Sequence, residues 1–349
     1  MLVIASTLLA GAAPADDTLM HPEAERGHTL FGGALQLGGY LTLRVRDVRG
    51  EPARFDGRDA SLFLTWTPAP KWRVFVEAEA EEFASIDRRG VHADDLDAAL
   101  ERLHIEYAAT PWITLRAGKF LTPVGRWNLV HADPLQWTVT RPLVTALPFA
   151  MFASGLAAHG VFPLPNGETL DYVAYVDDSR ALDPAHQDTT SEELEITTRH
   201  HEYDHAGGGQ LRWHFFDDRA ELGVSYSDFR MRAEPGRTHL AGLDGRLVWR
   251  GFELSGEGVY SVKEATRGSV AEWGAFVQTV APLVETLSAV LRFERYDGAA
   301  AHTRGIRLGT LGLAWRPRPA LAFKLEYRTG AHNEAVAPDG LLASFGFLF

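Results

Sequence analysis

The last nine residues of the chain read Leu341-Leu-Ala-Ser-Phe-Gly-Phe-Leu-Phe349. Every second residue counted back from Phe349 is apolar, and Ser344 and Gly346 stand between them. Because successive side chains of a β-strand point to opposite faces, this segment predicts a strand with one apolar face. A free apolar edge on a soluble sheet invites aggregation, whereas a closed transmembrane barrel has no edge and needs an apolar outer face. The segment therefore predicts a membrane barrel.

The same alternation recurs in segments of about ten residues from residue 35 onwards, which is the pattern of barrel strands. Val74 and Val76, for example, alternate with Arg73 and Glu77. About sixteen such segments predict an all-β fold, a transmembrane antiparallel β-barrel of even strand number. The links alternate between seven short turns and eight long loops, as expected for short periplasmic turns and long outer loops. A soluble all-β sandwich is the alternative, but it would not sort its links in this way.

The N-terminus has the pattern of a secretory signal. An apolar run from Met1 to Ala10 is followed by Ala13-Pro-Ala15, which fits the small-x-small cleavage pattern. No Lys or Arg precedes the run, so a start codon assigned too late and a disordered soluble N-terminus stay open as alternatives. The expected division is a secretory signal peptide over residues 1–15, a short periplasmic segment over residues 16–32 and the barrel over residues 33–349.

The composition limits the chemistry that the chain can perform. The 349 residues include no cysteine, which suits export through an oxidising compartment and excludes a thiolate zinc site. The net charge of −12 argues against nucleic acid as a partner. Nine tryptophans would suit the aromatic girdles of a membrane barrel. No cofactor is implied.

If the apolar face contacts lipid, the polar face lines a lumen that sixteen strands make wide enough for water. The wall candidates for its narrowest part are Arg44, Arg73, Glu77, Arg102 and Arg116. Acidic and basic side chains nearly balance on this face, so the wall alone predicts no strong ion selectivity. Glu77, Glu79 and Glu81 share the face as paired catalytic carboxylates would, although solvation in the lumen explains them more simply.

The long link over residues 121–152 contains apolar runs such as Leu147-Pro-Phe-Ala-Met-Phe152. A fully solvated loop does not need them, so we expect this segment to fold into the lumen and constrict the pore. Packing over the rim or against a neighbouring subunit is the alternative. The charged candidates of this constriction loop are Arg126, His131, Asp133 and Arg141.

A second polar segment carries histidines in the fourth long loop. His200, His201 and His205, together with nearby acids, are weak candidates for a divalent transition-metal site. A solvated polar loop explains them more simply. Ser154 and Ser225 lack the strand-to-helix context of a hydrolase nucleophile.

Sixteen strands with the third long loop folded inward resemble the general porin superfamily of Gram-negative outer membranes. Leu115-Arg-Ala-Gly-Lys-Phe-Leu-Thr-Pro-Val-Gly125 is similar to a strand-to-loop segment of phosphate-selective O/P-type porins, in which Gly-Lys/Gln-Phe leads into Pro-x-Gly. That family relies on a strongly basic pore, whereas this wall has about as many acids as bases. The resemblance implies an outer-membrane location, contact with lipid and lipopolysaccharide, a homotrimer, and recognition of Phe349 by the barrel-assembly machinery.

These patterns lead us to expect an outer-membrane porin, a passive diffusion channel for small hydrophilic solutes or ions, and not an enzyme. Two alternatives stay open. One is an outer-membrane barrel enzyme of the lipase or protease type, and the other is a non-conducting structural or adhesive barrel.

Overall fold

The computed structural model describes residues 27–88, 90–92, 97–182, 202–232, 236–265 and 268–349. The expected signal peptide and residues 16–26 of the expected periplasmic segment lie outside this part of the chain. The described residues form one antiparallel sheet of eighteen strands and a single α-helical turn, α1 (Ser179–Leu182). Within the described ranges, no helix is both long and apolar enough to cross a membrane.

The strands are β1 (His28–Leu30), β2 (Leu35–Val48), β3 (Arg54–Ala69), β4 (Trp72–Asp87), β5 (Gly90–His92), β6 (Asp97–Thr110), β7 (Ile113–Leu121), β8 (Phe152–Pro163), β9 (Thr169–Asp177), β10 (Tyr203–Phe215), β11 (Ala220–Met231), β12 (Thr238–Trp249), β13 (Phe252–Glu264), β14 (Ser269–Val284), β15 (Leu287–Asp297), β16 (Ile306–Arg318), β17 (Leu321–Ala331) and β18 (Gly340–Leu348).

Sixteen of these strands close into a barrel, because β18 pairs antiparallel with β2. The short strands β1 and β5 only extend the pairing of β2 and β4. The predicted all-β barrel of about sixteen strands is thus confirmed. At the closing seam, Gly39 and Phe349 exchange two backbone hydrogen bonds of 3.0 Å. The aromatic C-terminus therefore completes the last pairing of the barrel.

Links of the two predicted classes alternate along the chain, but two of the expected long loops are short. Long loops are expected over residues 47–58 and 262–269, but the links cover only residues 49–53 and 265–268, because the adjoining strands are longer than expected. At the first of them the pairing continues to Arg46 opposite Arg54, and Arg46 forms an ion pair of 2.7 Å with Glu51. Polar residues that suggested an open loop are instead paired at the tip of a hairpin.

The two faces of the wall differ as the alternation predicts. Large apolar side chains are exposed on the outer face, including Leu211, Val224, Leu243, Phe293 and Leu311. The inner face carries buried charged side chains, including Glu77, Arg102, Arg116, Arg212, Glu257, Arg292 and Glu326. The largest apolar core lies inside the barrel, where Leu143, Val144 and Phe149 pack with wall residues such as Leu240 and Phe276.

Candidate functional site in the lumen

The segment over residues 122–151, here called the lumen loop, leaves β7 and returns to β8 inside the barrel. Its base is closed by its own side chains. Thr122 Oγ1 donates to the Ala150 carbonyl at 2.7 Å, and Asn128 Nδ2 donates to the carbonyls of Thr122 and Met151 at 2.8 and 3.2 Å. The loop therefore has a fixed local fold before any contact with the wall is counted.

The Pro-Val-Gly motif directs the start of the loop onto the wall. Gly125 has a φ of +66°, a conformation that residues with a Cβ rarely adopt. This turn presents two consecutive backbone N–H groups to one wall carboxylate: Arg126 N and Trp127 N donate to Glu257 Oε1 at 2.6 and 2.5 Å. A Cβ at position 125 would overlap that carboxylate. Glycine is thus required both by the backbone and by the close approach of Glu257.

Two more wall carboxylates accept loop N–H groups. Glu326 Oε2 accepts from Val139 N at 2.9 Å and Thr140 N at 3.1 Å, and Glu294 Oε2 accepts from Leu143 N at 2.7 Å. Buried N–H groups without an acceptor are costly, so an irregular loop inside a barrel needs such partners. These glutamates satisfy the loop backbone in the way a ladder partner would in a sheet.

Four wall cations satisfy loop carbonyls. Arg212 Nη2 donates to the Gly125 carbonyl at 3.1 Å, and Arg292 Nη1 donates to the Thr140 carbonyl at 2.9 Å. Arg316 Nη2 donates to the carbonyls of residues 134–136 at 2.8–3.3 Å, while its guanidinium stacks 4.2 Å from the Trp137 ring centroid. Lys324 Nζ donates to the carbonyls of Asp133 and Thr138 at 2.9 and 3.0 Å, and also to the Asp133 carboxylate at 2.9 Å. The wall and the loop are therefore joined by charge-assisted hydrogen bonds, in which wall carboxylates accept from the loop and wall cations donate to it.

A cavity of about 430 Å³ lies between the lumen loop and the wall formed by β2, β3, β4, β17 and β18. Six arginines line it: Arg44, Arg46, Arg54, Arg58, Arg141 and Arg328. The carboxylates that line it are Glu51, Asp59, Glu79 and Asp133. The cavity is therefore basic on balance, although the wall as a whole is not.

The residues singled out on the loop separate into two groups. His131, Asp133 and Arg141 line the cavity. Arg126 does not, because its guanidinium lies against the wall, where Nη1 donates to Glu221 Oε2 at 2.5 Å. Arg126 therefore holds the lumen loop to the wall outside the cavity.

Of the wall residues singled out from the sequence, Arg44 lines the cavity and the other four lie in buried networks. Arg73 and Arg116 donate to the two oxygens of Glu106 at 2.8 and 2.6 Å. Arg102 pairs with Glu77 and lies 4.7 Å from the centroid of an aromatic ring, Phe75. Arg102 and Glu77 therefore balance each other, whereas Arg73 and Arg116 share one carboxylate.

The histidines differ in their surroundings. His205 is half exposed, with Nδ1 3.3 Å from Asp204 Oδ2, while His200 and His201 lie outside the described residues. His131 is buried, and its Nε2 lies 3.7 Å from Glu79 Oε2 and 4.0 Å from Glu77 Oε1. Burial lowers the pKa of His131, but these carboxylates outweigh burial and raise that pKa above its ordinary value. His131, Glu77 and Glu79 could hold a metal ion.

Several site residues were not anticipated. The sequence patterns do not single out Glu257, Glu294 and Glu326 as acceptors for the loop, or Arg54 and Arg58 as lining the cavity. The sequence of the lumen loop does contain a signal for such partners. Its apolar runs require burial, and the backbone N–H groups of a buried loop require acceptors. Which wall residues supply these acceptors depends on contacts far apart in the chain.

A closed sixteen-stranded barrel with its third long link packed in the lumen beside a charged cavity has the fold of outer-membrane porins. The anion-selective porin from Comamonas acidovorans shares it at 13% identity and a TM-score of 0.57, over 90% of this chain and 99% of that one. Salmonella typhi OmpF gives 11% and 0.59, over 92% and 99%. OmpT of Vibrio cholerae in its trimer form gives 8% and 0.59, over 90% and 99%.

No protein-family model and no curated protein sequence matches the chain. The likeness to solved structures is therefore one of fold, at identities that carry no residue-by-residue correspondence.

Proposed function

We propose that this chain is an outer-membrane porin, a passive diffusion channel for small hydrophilic solutes or ions. The observation that carries the proposal is the charged cavity left between the lumen loop and the wall. A loop held by wall carboxylates and cations narrows the lumen without depending on a mobile lid. In this proposal, residues 121–152 are the constriction segment of a barrel domain over residues 33–349, which follows a signal peptide and a short periplasmic segment.

The cavity supports a preference for anions. Its arginines outnumber its carboxylates, and rings of Arg or Lys favour anion passage in pores. Asp56 of β3 is fully buried, lies 3.7 Å from Arg44 and moderates this charge. We therefore expect a moderate anion preference and not the strong selectivity of a uniformly basic pore.

The cellular setting belongs to the same proposal. The barrel would lie in the Gram-negative outer membrane, in contact with lipid and lipopolysaccharide, after assembly that reads Phe349. The trimer form recorded for Vibrio cholerae OmpT supports a homotrimer.

Single-channel conductance in a planar bilayer tests the function. Refolded protein should give discrete current steps, and the reversal potential in a KCl gradient should have the sign of chloride preference. Cation preference would contradict the role given to the arginines. A folded barrel without current would contradict the channel and favour a non-conducting barrel or a lipase- or protease-type enzyme, which hydrolysis of phospholipid or peptide would distinguish.

A further inference from the structure

Three buried side chains of the lumen loop and the wall converge beside the cavity. They are His131 of the loop and Glu77 and Glu79 of β4. One ligand atom from each lies within 4.8 Å of the ligand atoms of the other two. The two glutamates are next-but-one neighbours on a strand, so both side chains point into the lumen.

The imidazole of His131 has no hydrogen-bond partner on either ring nitrogen, although the side chain is only 7% exposed. Its Nε2 is directed at the two carboxylates but stays beyond hydrogen-bond distance from both. A buried polar group without a partner is costly, and it usually marks a missing water, ion or functional role. A cation between Nε2 and the carboxylates would give this ring nitrogen a partner.

The carboxylates are held in place by a second layer of contacts. Ser61 Oγ donates to Glu77 Oε1 at 3.0 Å, and the Tyr40 hydroxyl donates to Glu79 Oε2 at 2.9 Å. Arg102 bonds the other oxygen of Glu77. Outer contacts of this kind orient metal ligands and tune their affinity.

The charge of the region also favours a cation. Glu101 is buried nearby, has an oxygen without a hydrogen-bond partner, and interacts electrostatically with Glu77 and Glu79. Arg102 pairs with Glu77, and Glu79 and Glu101 bring two further carboxyl groups into a place of little solvent. A divalent ion would lower the mutual repulsion of these groups.

Imidazole nitrogen and carboxylate oxygen are both donors that Zn²⁺ accepts, and three protein ligands would leave a fourth position for water. A tetrahedral ion needs donor atoms about 3.3 Å apart, so His131 Nε2, now 3.7 and 4.0 Å from the two carboxylates, would approach them by about 0.4–0.7 Å. We propose that His131, Glu77 and Glu79 form a binding site for a divalent transition-metal ion, and that the ion ties the lumen loop to β4.

This site does not depend on the channel function, since binding can be measured on the folded barrel in detergent. His131 and Glu79 also line the cavity, so the ion can enter from solvent. Its imidazole ligand favours transition metals over Mg²⁺ and Ca²⁺, which prefer oxygen alone.

Isothermal titration of EDTA-treated, full-length protein with Zn²⁺ tests the proposal. We expect one Zn²⁺ per chain, and affinity at least about tenfold lower in His131→Gln and in Glu79→Gln. Mg²⁺ in equal amount should not displace the Zn²⁺. Heat-modifiable migration on a gel would check that each variant is folded.

Co²⁺ gives a second readout, because its visible absorption reports ligand geometry and should change in His131→Gln.

The matched control removes the other histidines that could bind metal. A variant with His200→Gln, His201→Gln and His205→Gln should keep the Zn²⁺ stoichiometry and affinity of the original chain. Loss of binding in this variant, with normal binding in His131→Gln, would overturn the proposal. So would the absence of Zn²⁺ binding to the folded original chain.

Discussion

Asp133 of the lumen loop and Lys324 of the barrel wall form an ion pair of 2.9 Å in the interior of the barrel, with the lysine side chain 1% exposed. The same ammonium donates to the carbonyls of Asp133 and Thr138. One wall cation therefore holds the loop backbone and also neutralises a carboxylate that lines the cavity.

Replacing Lys324 with Met should shift the reversal potential towards cations, because the Asp133 carboxylate then faces the cavity without its partner. Breaking a buried pair should also lower the free energy of unfolding by about 3 kcal/mol. The reversal potential in a KCl gradient and the urea midpoint measure the two effects. Lys71→Met, at an exposed turn, makes the same charge change outside the cavity, and equal reversal potentials in the two variants would contradict the assignment.

Glu257→Leu should release the start of the lumen loop, since two buried N–H groups lose their acceptor at a cost of about 1–3 kcal/mol each. We expect larger and noisier current steps and faster hydrogen exchange at Arg126 and Trp127. Glu257→Gln keeps one acceptor oxygen and should retain most of the protection. Equal exchange in both variants would show that charge, and not the acceptor, matters.

Gly125→Ala should disturb the same contact from the loop side. The positive φ alone costs a residue with a Cβ about 1–2 kcal/mol, and the added methyl would displace the Glu257 carboxylate. Gly167→Ala provides the control, because Gly167 has a φ of +79° with open space around it. Thermal unfolding should therefore show a greater loss for position 125 than for position 167. A smaller loss at position 125 would argue against the close approach.

Zn²⁺ affinity should fall as the pH is lowered, because a proton and the metal compete for His131 Nε2. Glu77 and Glu79 raise the pKa of His131 against the opposing effects of burial and of Arg102, so this competition should begin at a higher pH than for an ordinary histidine. Titration calorimetry over a series of pH values measures how the Zn²⁺ affinity changes with pH. A pH-independent affinity across the histidine range would exclude an imidazole ligand.

Phe349→Ser should impair assembly of the barrel. The Phe349 ring lies against Gly39, where a Cβ would overlap it, and stacks on Phe347 with ring centroids 6.0 Å apart. Serine removes these contacts at the closing seam and also the C-terminal aromatic group. Phe349→Tyr keeps the ring and should fold normally. Heat-modifiable migration and outer-membrane fractionation compare the two, and normal assembly of the serine variant would refute the expectation.

The barrel itself could be predicted because its signal is local. Two-residue alternation fixes which face of each strand meets lipid, and β18 shows it within nine residues. The prediction of a long loop between β2 and β3 is wrong, because polar residues at the ends of these strands pair across the hairpin. Apolar periodicity does not reveal such a contact.

The interior was less predictable because it depends on contacts between distant segments. Arg126 N and its acceptor Glu257 are 131 positions apart. Alternation places Glu257 in the lumen but does not say whether it meets water or a loop N–H. For the same reason the sequence groups Arg126 with the other charges of the constriction loop, whereas its guanidinium lies against Glu221 of the wall. The approach of His131 to Glu77 and Glu79 likewise follows only once the loop is folded inward.

The apolar core inside the barrel makes one part of the wall stiffer than the other. From β7 to β16 the wall packs against side chains of the lumen loop. Because close-packed interiors are hard to compress, this part of the wall should resist bending. Along β2 and β3 this backing is interrupted, because Ala132 of the loop packs only in a small cluster with Tyr40 and Phe63 and the cavity lies beside it. Thermal changes in the width of the lumen should therefore arise mainly on this less filled side of the wall.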